Sequence, residues 1–175
     1  MIDIFKLKDF TSEALPHIFC IADTESQTVH FAAANCNQAH VMLWSGVVPL
    51  SSGVCTIAVH KFQELQMLQG MTLSMDAEPD RLFFPDLDFS IQTESRDTRP
   101  YDVVKFVAAL MGPVQPGVSS SEIYGAGWKG INRFTALFDV SEGLRIGCNG
   151  PGKPLIVEGL DKSWRVVTMV ERLSE

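Results

Sequence analysis

The sequence predicts a single α+β domain in which short strands outnumber helices. Its 175 residues are typical of one domain, and hydrophobic residues make up 46% of the chain, which is enough for one packed core. Several short segments are rich in β-branched or aromatic residues, whereas two segments have the spacing of an amphipathic helix. We therefore expect one domain over residues 1–175, with a β-sandwich-like core of short strands flanked by two or three helices.

The predicted strands share two features: β-branched or aromatic side chains inside, and Gly, Pro, Asn or Asp at their ends. In chain order they are TVHFAAA (28–34), HVMLW (40–44), VCTIAVHKF (54–62), MTLSM (71–75), LDFSIQT (87–93) and WRVVTMV (164–170). The acidic stretch DAEPDRLFFPDLD, residues 76–88, is interpreted as a solvated loop anchored by its aromatic residues.

The first predicted helix spans residues 101–111, in the stretch YDVVKFVAALMG. Its apolar residues follow the i, i+3, i+4, i+7 spacing of one helix face, Pro100 suits the first turn, and Gly112 stands at its end. A second helix is predicted over residues 131–140, with Gly143 in the left-handed end position. Both apolar faces are too narrow for a helical bundle and suit packing on a sheet.

Composition argues against two kinds of partner. Fourteen basic and twenty-one acidic residues give a net charge of -7 with no Lys/Arg run, so we expect no nucleic-acid binding. No apolar stretch reaches the ~18 residues of a membrane span, so we expect no membrane insertion. MIDIFKLKDF also lacks the layout of a signal peptide. The four cysteines are too few for a disulfide framework and indicate a cytoplasmic protein: Cys20, Cys36, Cys55 and Cys148.

Neither a metal ion nor a cofactor is expected. The His and Cys pairs His17/Cys20 and Cys36/His40 lack the paired spacing of a structural zinc site. The pieces GAGWKG and GCNGPGKP have neither the spacing of a phosphate-binding loop nor that of a dinucleotide site. Both glycine-rich pieces therefore predict hairpin turns.

Cys55 is the strongest candidate for chemistry, since it follows a Ser-Ser-Gly turn and precedes an apolar run. A cysteine in an apolar strand is commonly a buried structural thiol. A cysteine beside a turn can instead act as a nucleophile, provided that a base or a cation lowers its pKa. The residues alone leave both interpretations open.

The order of several segments resembles that of the CheD family, bacterial chemoreceptor glutamine deamidases whose fold is shared with cytotoxic necrotizing factor toxins. The segments that carry the resemblance are SSGVCTIAV, QGMTLSM, PYDVVKFVAALMG, EIYGAGWKG, INRFTALFDVSEGLRI and GCNGPGKPLIVEGLDKSWRVVTM. They cover residues 46–175, and residues 1–45 form an N-terminal extension outside the resemblance.

The resemblance implies a cysteine-dependent hydrolase that deamidates glutamine side chains of a protein substrate in chemotaxis or sensory signalling. Cys55 would be the catalytic nucleophile, and backbone N–H groups of the preceding turn would hold the oxyanion. A second small-residue turn would lie close by. The expected binding residues are Ser51, Ser52, Gly53, Val54, Gly125 and Gly127.

This chain departs from the family pattern around the cysteine. The family has a Thr six residues before the cysteine, where this chain has Pro49, and a His after the Gly-Met segment, where this chain has about Leu73. His60 is expected to point away from Cys55 because it lies five positions further along a strand. Any base must then come from upstream, from His17, His30 or His40. The alternative is a CheD-like scaffold that binds a partner protein without chemistry.

Overall fold

The computed structural model describes residues 3–35, 38–94, 103–113, 124–125, 143–148, 154–168 and 171–172. The strands in these ranges are β1 (His17–Asp23), β2 (Thr28–Ala34), β3 (Gln38–Leu43), β4 (Val47–Pro49), β5 (Gly53–Ala58), β6 (Leu73–Ala77), β7 (Arg81–Phe84), β8 (Phe89–Gln92), β9 (Tyr124–Gly125), β10 (Leu144–Cys148), β11 (Leu155–Gly159), β12 (Trp164–Thr168) and β13 (Glu171–Arg172). The α-helices in the same ranges are α1 (Val59–Glu64) and α2 (Val103–Met111). Three 3₁₀ helices span Ile4–Phe10, Leu65–Leu68 and Pro85–Leu87.

Strands from both ends of the chain form one large sheet. Its seven strands have the order β10-β11-β12-β3-β2-β1-β5, and each neighbouring pair is antiparallel. A small sheet has the order β4-β6-β7-β8, and β9 pairs with β13. The β1–β2–β3 unit therefore lies in the middle of the large sheet, between β5 and β12.

One face of the large sheet, the closed face, packs against the small sheet, α1 and the first 3₁₀ helix. Aromatic side chains fill this core: the ring centroids of Phe31 and Phe62 lie 5.0 Å apart, and those of Trp44 and Phe84 lie 5.9 Å apart. Rings of this size bury large apolar areas and prefer such tilted arrangements. The closed face is thus the main hydrophobic core.

The other face, the α2 face, has a smaller core. Several of its inward side chains are alanines, including Ala32, Ala34 and Ala39, and they pack with Val107 and Leu110 of α2. Small side chains let the helix lie close to the sheet. No helix in the described part of the chain is long and apolar enough to cross a membrane.

The prediction of an α+β fold made mostly of strands is confirmed. The helix predicted over residues 101–111 is present as α2, whereas the one predicted over residues 131–140 lies outside the described residues. β10 and β11 pair antiparallel, whereas the turn residues predicted in GCNGPGKP (149–153) and in GAGWKG (126–130) lie outside the described residues.

The strand predicted over residues 54–62 is wrong beyond Ala58, where α1 begins. Buried Phe62 and Leu65 are three residues apart and lie on one side of this turn of helix, a spacing that suits a helix and not a strand. His60 is therefore a helical residue, and the strand argument about its direction does not apply.

The interpretation of residues 76–88 as a solvated loop is also wrong. Arg81–Phe84 form β7, in which Leu82 and Phe84 are fully buried while Arg81 is exposed. This alternation is that of a strand with one buried face.

Candidate binding groove

A groove of about 450 Å³ lies on the α2 face, at the end of the large sheet where two hairpins turn. Its floor crosses three strands: Leu43 of β3 lies opposite His30 of β2, and His30 lies opposite Ile21 of β1. Val41 adds a further apolar group to the floor. The antiparallel register brings these distant residues into one row.

Helix α2 forms one wall of the groove. It contributes Val107, which is buried, and Ala108, which is exposed, together with Met111 near its end. The rim is polar and comes from the β1–β2 and β11–β12 turns, including Asp23 and Asp161. An apolar cavity with a few polar groups at its edge is typical of a ligand site.

Arg165 of β12 fastens α2 to the sheet. Its Nη1 donates hydrogen bonds to the carbonyl oxygens of Leu110, at 2.8 Å, and Gly112, at 2.7 Å. The last carbonyls of a helix lack partners within the helix, so a guanidinium group at this end both satisfies them and complements the helix dipole. The position of the groove wall therefore depends on this side chain.

Glu158 of β11 holds Arg165 in place. Its side chain is 4% exposed, and its Oε2 accepts hydrogen bonds from Arg165 Nε at 3.0 Å and Nη2 at 2.7 Å. Arg145 of β10 lies 3.8 Å from Oε1. The three residues are directly opposite one another on neighbouring strands, so the register of the sheet itself places the buried Glu158 carboxylate between the two guanidinium groups.

His30 is the polar group on the groove floor. Burial disfavours the imidazolium form, and this effect, with a smaller contribution from Arg165, holds the pKa of His30 below its ordinary value. Asp23 acts weakly in the opposite direction. At neutral pH the groove therefore presents an uncharged imidazole, with one donor and one acceptor.

Asp23 is a fixed negative charge at the rim. Its Oδ2 accepts a hydrogen bond from the Ser26 hydroxyl at 2.6 Å, and its Oδ1 accepts one from the Glu25 N–H at 3.0 Å. These bonds lower the pKa of Asp23, the hydroxyl contributing most. They also close the β1–β2 turn, in which Gln27 has a φ of 54°.

Cys55, the expected nucleophile, lies on the closed face and not in the groove. It is 3% exposed and sits directly opposite Cys20 in the β1–β5 ladder. A hydrogen bond with Cys55, together with burial, raises the pKa of Cys20 well above its ordinary value. The chain thus places two thiols side by side in an apolar core, and the catalytic role of Cys55 stays a prediction.

The turn before Cys55 is tied to its neighbours through its serines. The Ser51 hydroxyl donates to Asp76 and accepts from the Ala77 N–H at 3.1 Å. The Ser52 hydroxyl accepts from the Thr24 N–H at 2.9 Å. Both serines therefore connect the turn before β5 to adjacent elements.

None of the other expected binding residues is among the described lining of the groove. Gly53 and Val54 lie in β5, opposite Ala22 and Ile21 of β1. Gly125 belongs to β9, and Gly127 lies outside the described residues.

The three histidines proposed as bases have different surroundings. His17 pairs with Glu94, with Nδ1 to Oε2 at 2.6 Å, and His40 stacks on Phe10 with ring centroids 3.7 Å apart. His30 lies in the groove. Sequence reasoning considered His30 as a partner of Cys55 and missed the groove, because its lining residues are far apart in the chain.

Comparison with known proteins gives a different fold family from the one expected. The chain is similar to the Helicobacter pylori beta clamp bound to DNA ligase peptide, with a TM-score of 0.58, 11% identity and coverage of 98% of this chain and 64% of the clamp. The beta subunit of the Streptococcus pyogenes DNA polymerase matches with a TM-score of 0.60 and 10% identity. The beta subunit of Thermotoga maritima DNA polymerase III matches with a TM-score of 0.59 and 13% identity. Each of these two matches covers 98% of this chain and 62% of the other. At such identities the likeness is one of fold. No family model matches the sequence, and no curated protein matches it.

The CheD-like recognition, and with it the deamidase, hydrolase and chemotaxis assignments, is therefore wrong, and so is the CheD-like scaffold alternative. The three solved structures named above share this fold and are beta clamps or polymerase beta subunits by name. The segments that suggested CheD are mostly glycine turns next to short apolar runs, which antiparallel β-proteins of many kinds contain. The chain spans less than two thirds of the length of each of these clamps.

Proposed function

We propose that this protein is a clamp-like accessory protein of DNA synthesis, which acts by holding partner proteins and not by catalysis. The observation that carries this proposal is the beta-clamp fold along 98% of the chain. The Streptococcus pyogenes and Thermotoga maritima structures are DNA polymerase subunits by name, and the Helicobacter pylori beta clamp has a DNA ligase peptide bound.

The groove on the α2 face is the proposed docking site. Its volume of about 450 Å³ suits a few side chains of a peptide, and its apolar floor of Ile21, Val41 and Leu43 offers area for hydrophobic contact. Its walls are well supported, because Arg165 fixes the end of α2. A preformed groove of this kind keeps the cost of binding low.

The compartment proposed is the cytoplasm, where DNA synthesis takes place and where the thiols of Cys20 and Cys55 would stay reduced. We expect a single copy of the chain not to bind DNA tightly, because its net charge of -7 opposes contact with the phosphate backbone. Fluorescence anisotropy with labelled duplex DNA at low salt tests this point: tight binding by the isolated chain would contradict it.

Peptide selection against the full chain tests the docking site. Short random peptides are displayed on phage, and the enriched sequences are measured by calorimetry against wild type, Ala108→Phe and Ala109→Phe. Both alanines are exposed on α2, but Ala108 lines the groove and Ala109 is absent from its lining. We expect Ala108→Phe to weaken binding by about tenfold, equivalent to about 1.4 kcal/mol, and Ala109→Phe to leave it unchanged.

Two results would overturn the docking site. The first is that no peptide is enriched. The second is that the enriched peptides bind both variants as tightly as wild type, since their site would then lie elsewhere.

A further inference from the structure

The charged groups that line the groove do not cancel. Its described lining contains the carboxylates of Asp23, Glu158 and Asp161, against the cations of Lys162 and Arg165. Glu158 and Arg165 bind each other directly, with Oε2 and Nη2 at 2.7 Å. What remains for a ligand is a pair of acidic side chains and one lysine.

The two remaining carboxylates are held in place by their own turns. Asp23 accepts hydrogen bonds from Ser26 and Glu25, and Asp161 Oδ1 accepts from the Ser163 N–H at 3.0 Å and from the Ser163 hydroxyl at 2.9 Å. A charge whose position is fixed before binding costs little entropy when a ligand arrives. Lys162, which directly follows Asp161, offsets that carboxylate in part, so Asp23 is the stronger site for a cation.

These carboxylates stand on opposite sides of the apolar floor. Asp23 ends β1, whereas Asp161 lies in the turn before β12, and β2 and β3 lie between those two strands. Three strand spacings of about 4.8 Å make this separation about 14 Å. An extended peptide covers that distance in about four residues.

We infer that the groove binds a peptide segment with an apolar side chain on the floor and basic residues on its flanks, the Asp23 side being preferred. This inference rests on the proposed docking function. The fixed carboxylates attract Lys or Arg side chains, and the net charge of -7 adds a long-range attraction for a basic segment. The uncharged imidazole of His30 leaves the floor free of a competing cation at neutral pH.

Three small probes of similar shape test the charge preference on the full chain: phenethylamine (cationic), 2-phenylethanol (neutral) and 3-phenylpropionate (anionic). Affinities are taken from the amide chemical shifts of Ile21, Val41 and Leu43 at low salt. We expect the amine to bind about two- to fivefold more tightly than the alcohol, and the carboxylate more weakly than both, as for one exposed charge contact.

Asp23→Asn should remove most of the preference for the amine, because the amide keeps its Oδ1 acceptor for the turn but carries no charge. Glu25→Gln is the matched control, since Glu25 is an exposed acid of the same turn that is not among the groove lining. It should keep the preference. An unchanged preference in Asp23→Asn, or equal loss in both variants, would overturn the assignment to Asp23.

The two proposals fail in different ways. If none of the three probes shifts the floor residues, the groove is not a binding site and the docking function itself is overturned. If all three bind at the floor with equal affinity, or the anion binds best, the docking site stands and the basic-flanked partner is wrong.

Discussion

The two faces of the large sheet are covered to different extents. The closed face lies under the small sheet, α1 and a 3₁₀ helix, and its core contains Phe31, Trp44, Phe62 and Phe84. The α2 face lies against α2, its core is rich in alanine, and it leaves a groove of about 450 Å³. One sheet thus carries an aromatic-rich core on one side and the larger groove on the other.

The closed face mainly stabilises the fold, whereas the α2 face provides the proposed binding groove. Large interlocking side chains stabilise the fold, since each buried ring removes a large apolar area from water. A face with small side chains brings a helix close to the sheet at one position and leaves space beside it at another. We therefore expect substitutions on the closed face to change stability most, and substitutions around the groove to change binding most.

The largest expected effect is that of Phe62→Ala on the closed face. Phe62 is fully buried, with ring centroids 5.1 Å from Phe5 and 5.0 Å from Phe31. We expect the free energy of unfolding to fall by about 4 kcal/mol, and by about 2 kcal/mol for Leu110→Ala, which faces a less crowded core. Urea denaturation measures both. A larger loss for Leu110→Ala would reverse the comparison.

Arg165→Met should lower the free energy of unfolding by about 3 kcal/mol, because it leaves the nearly buried Glu158 without its main partner. It also removes the hydrogen bonds to the end of α2, so peptide binding in the groove should weaken. The double variant with Glu158→Leu should recover most of the stability, since no unpaired charge remains. Failure of the second substitution to restore any stability would show that the charge pair is not the cause.

Gly46→Ala tests the turn that leads from the large sheet to the small one. Gly46 has a φ of 85°, and an added Cβ would lie 2.8 Å from the Met71 carbonyl oxygen. Gly70 has a φ of 83° with no atom near such a Cβ. Thermal and urea unfolding should therefore show losses of about 2 kcal/mol for Gly46→Ala and about 1 kcal/mol for Gly70→Ala. Equal losses would mean that the close contact relaxes freely.

The smallest expected effect is the pH response of His30. The pKa of His30 is lower in the folded state than in the unfolded chain. The contribution of His30 to the free energy of unfolding is therefore present above the ordinary pKa and is lost as the pH falls through the lowered value. Wild type should therefore lose more stability than His30→Gln between about pH 7 and pH 5. The relevant neighbours are Asp23 and Arg165. Parallel pH profiles of the melting temperature would contradict this prediction.

Local sequence patterns located some elements well and others not at all. The β2 strand was predicted with its observed bounds because TVHFAAA is an apolar run that ends at turn residues. Helix α2 was found from its spacing. Residues 54–59, VCTIAV, give no sign that a helix begins at Val59. A short apolar run of this length is compatible with a strand and with a helix.

The groove could not be predicted in the same way. Ile21, Leu43 and Arg165 come from three different parts of the chain, and only the pairing of β1, β2, β3 and β12 makes them neighbours. The turn before Cys55 is visible in the sequence, whereas the burial of Cys55 against Cys20 depends on the β1–β5 register. The family resemblance failed for a related reason, since it relied on turns and not on strand order.

The sequence by itself determined the α+β class, the position of α2 and the acidic charge, because each depends on composition or on spacing between near neighbours. Tertiary structure alone decided the strand order, the unequal cover of the two faces and the charge cluster of Arg145, Glu158 and Arg165. The physical reason is that strand pairing is a long-range contact. Its free energy depends on which residues meet across the sheet, and that information is spread over the whole chain.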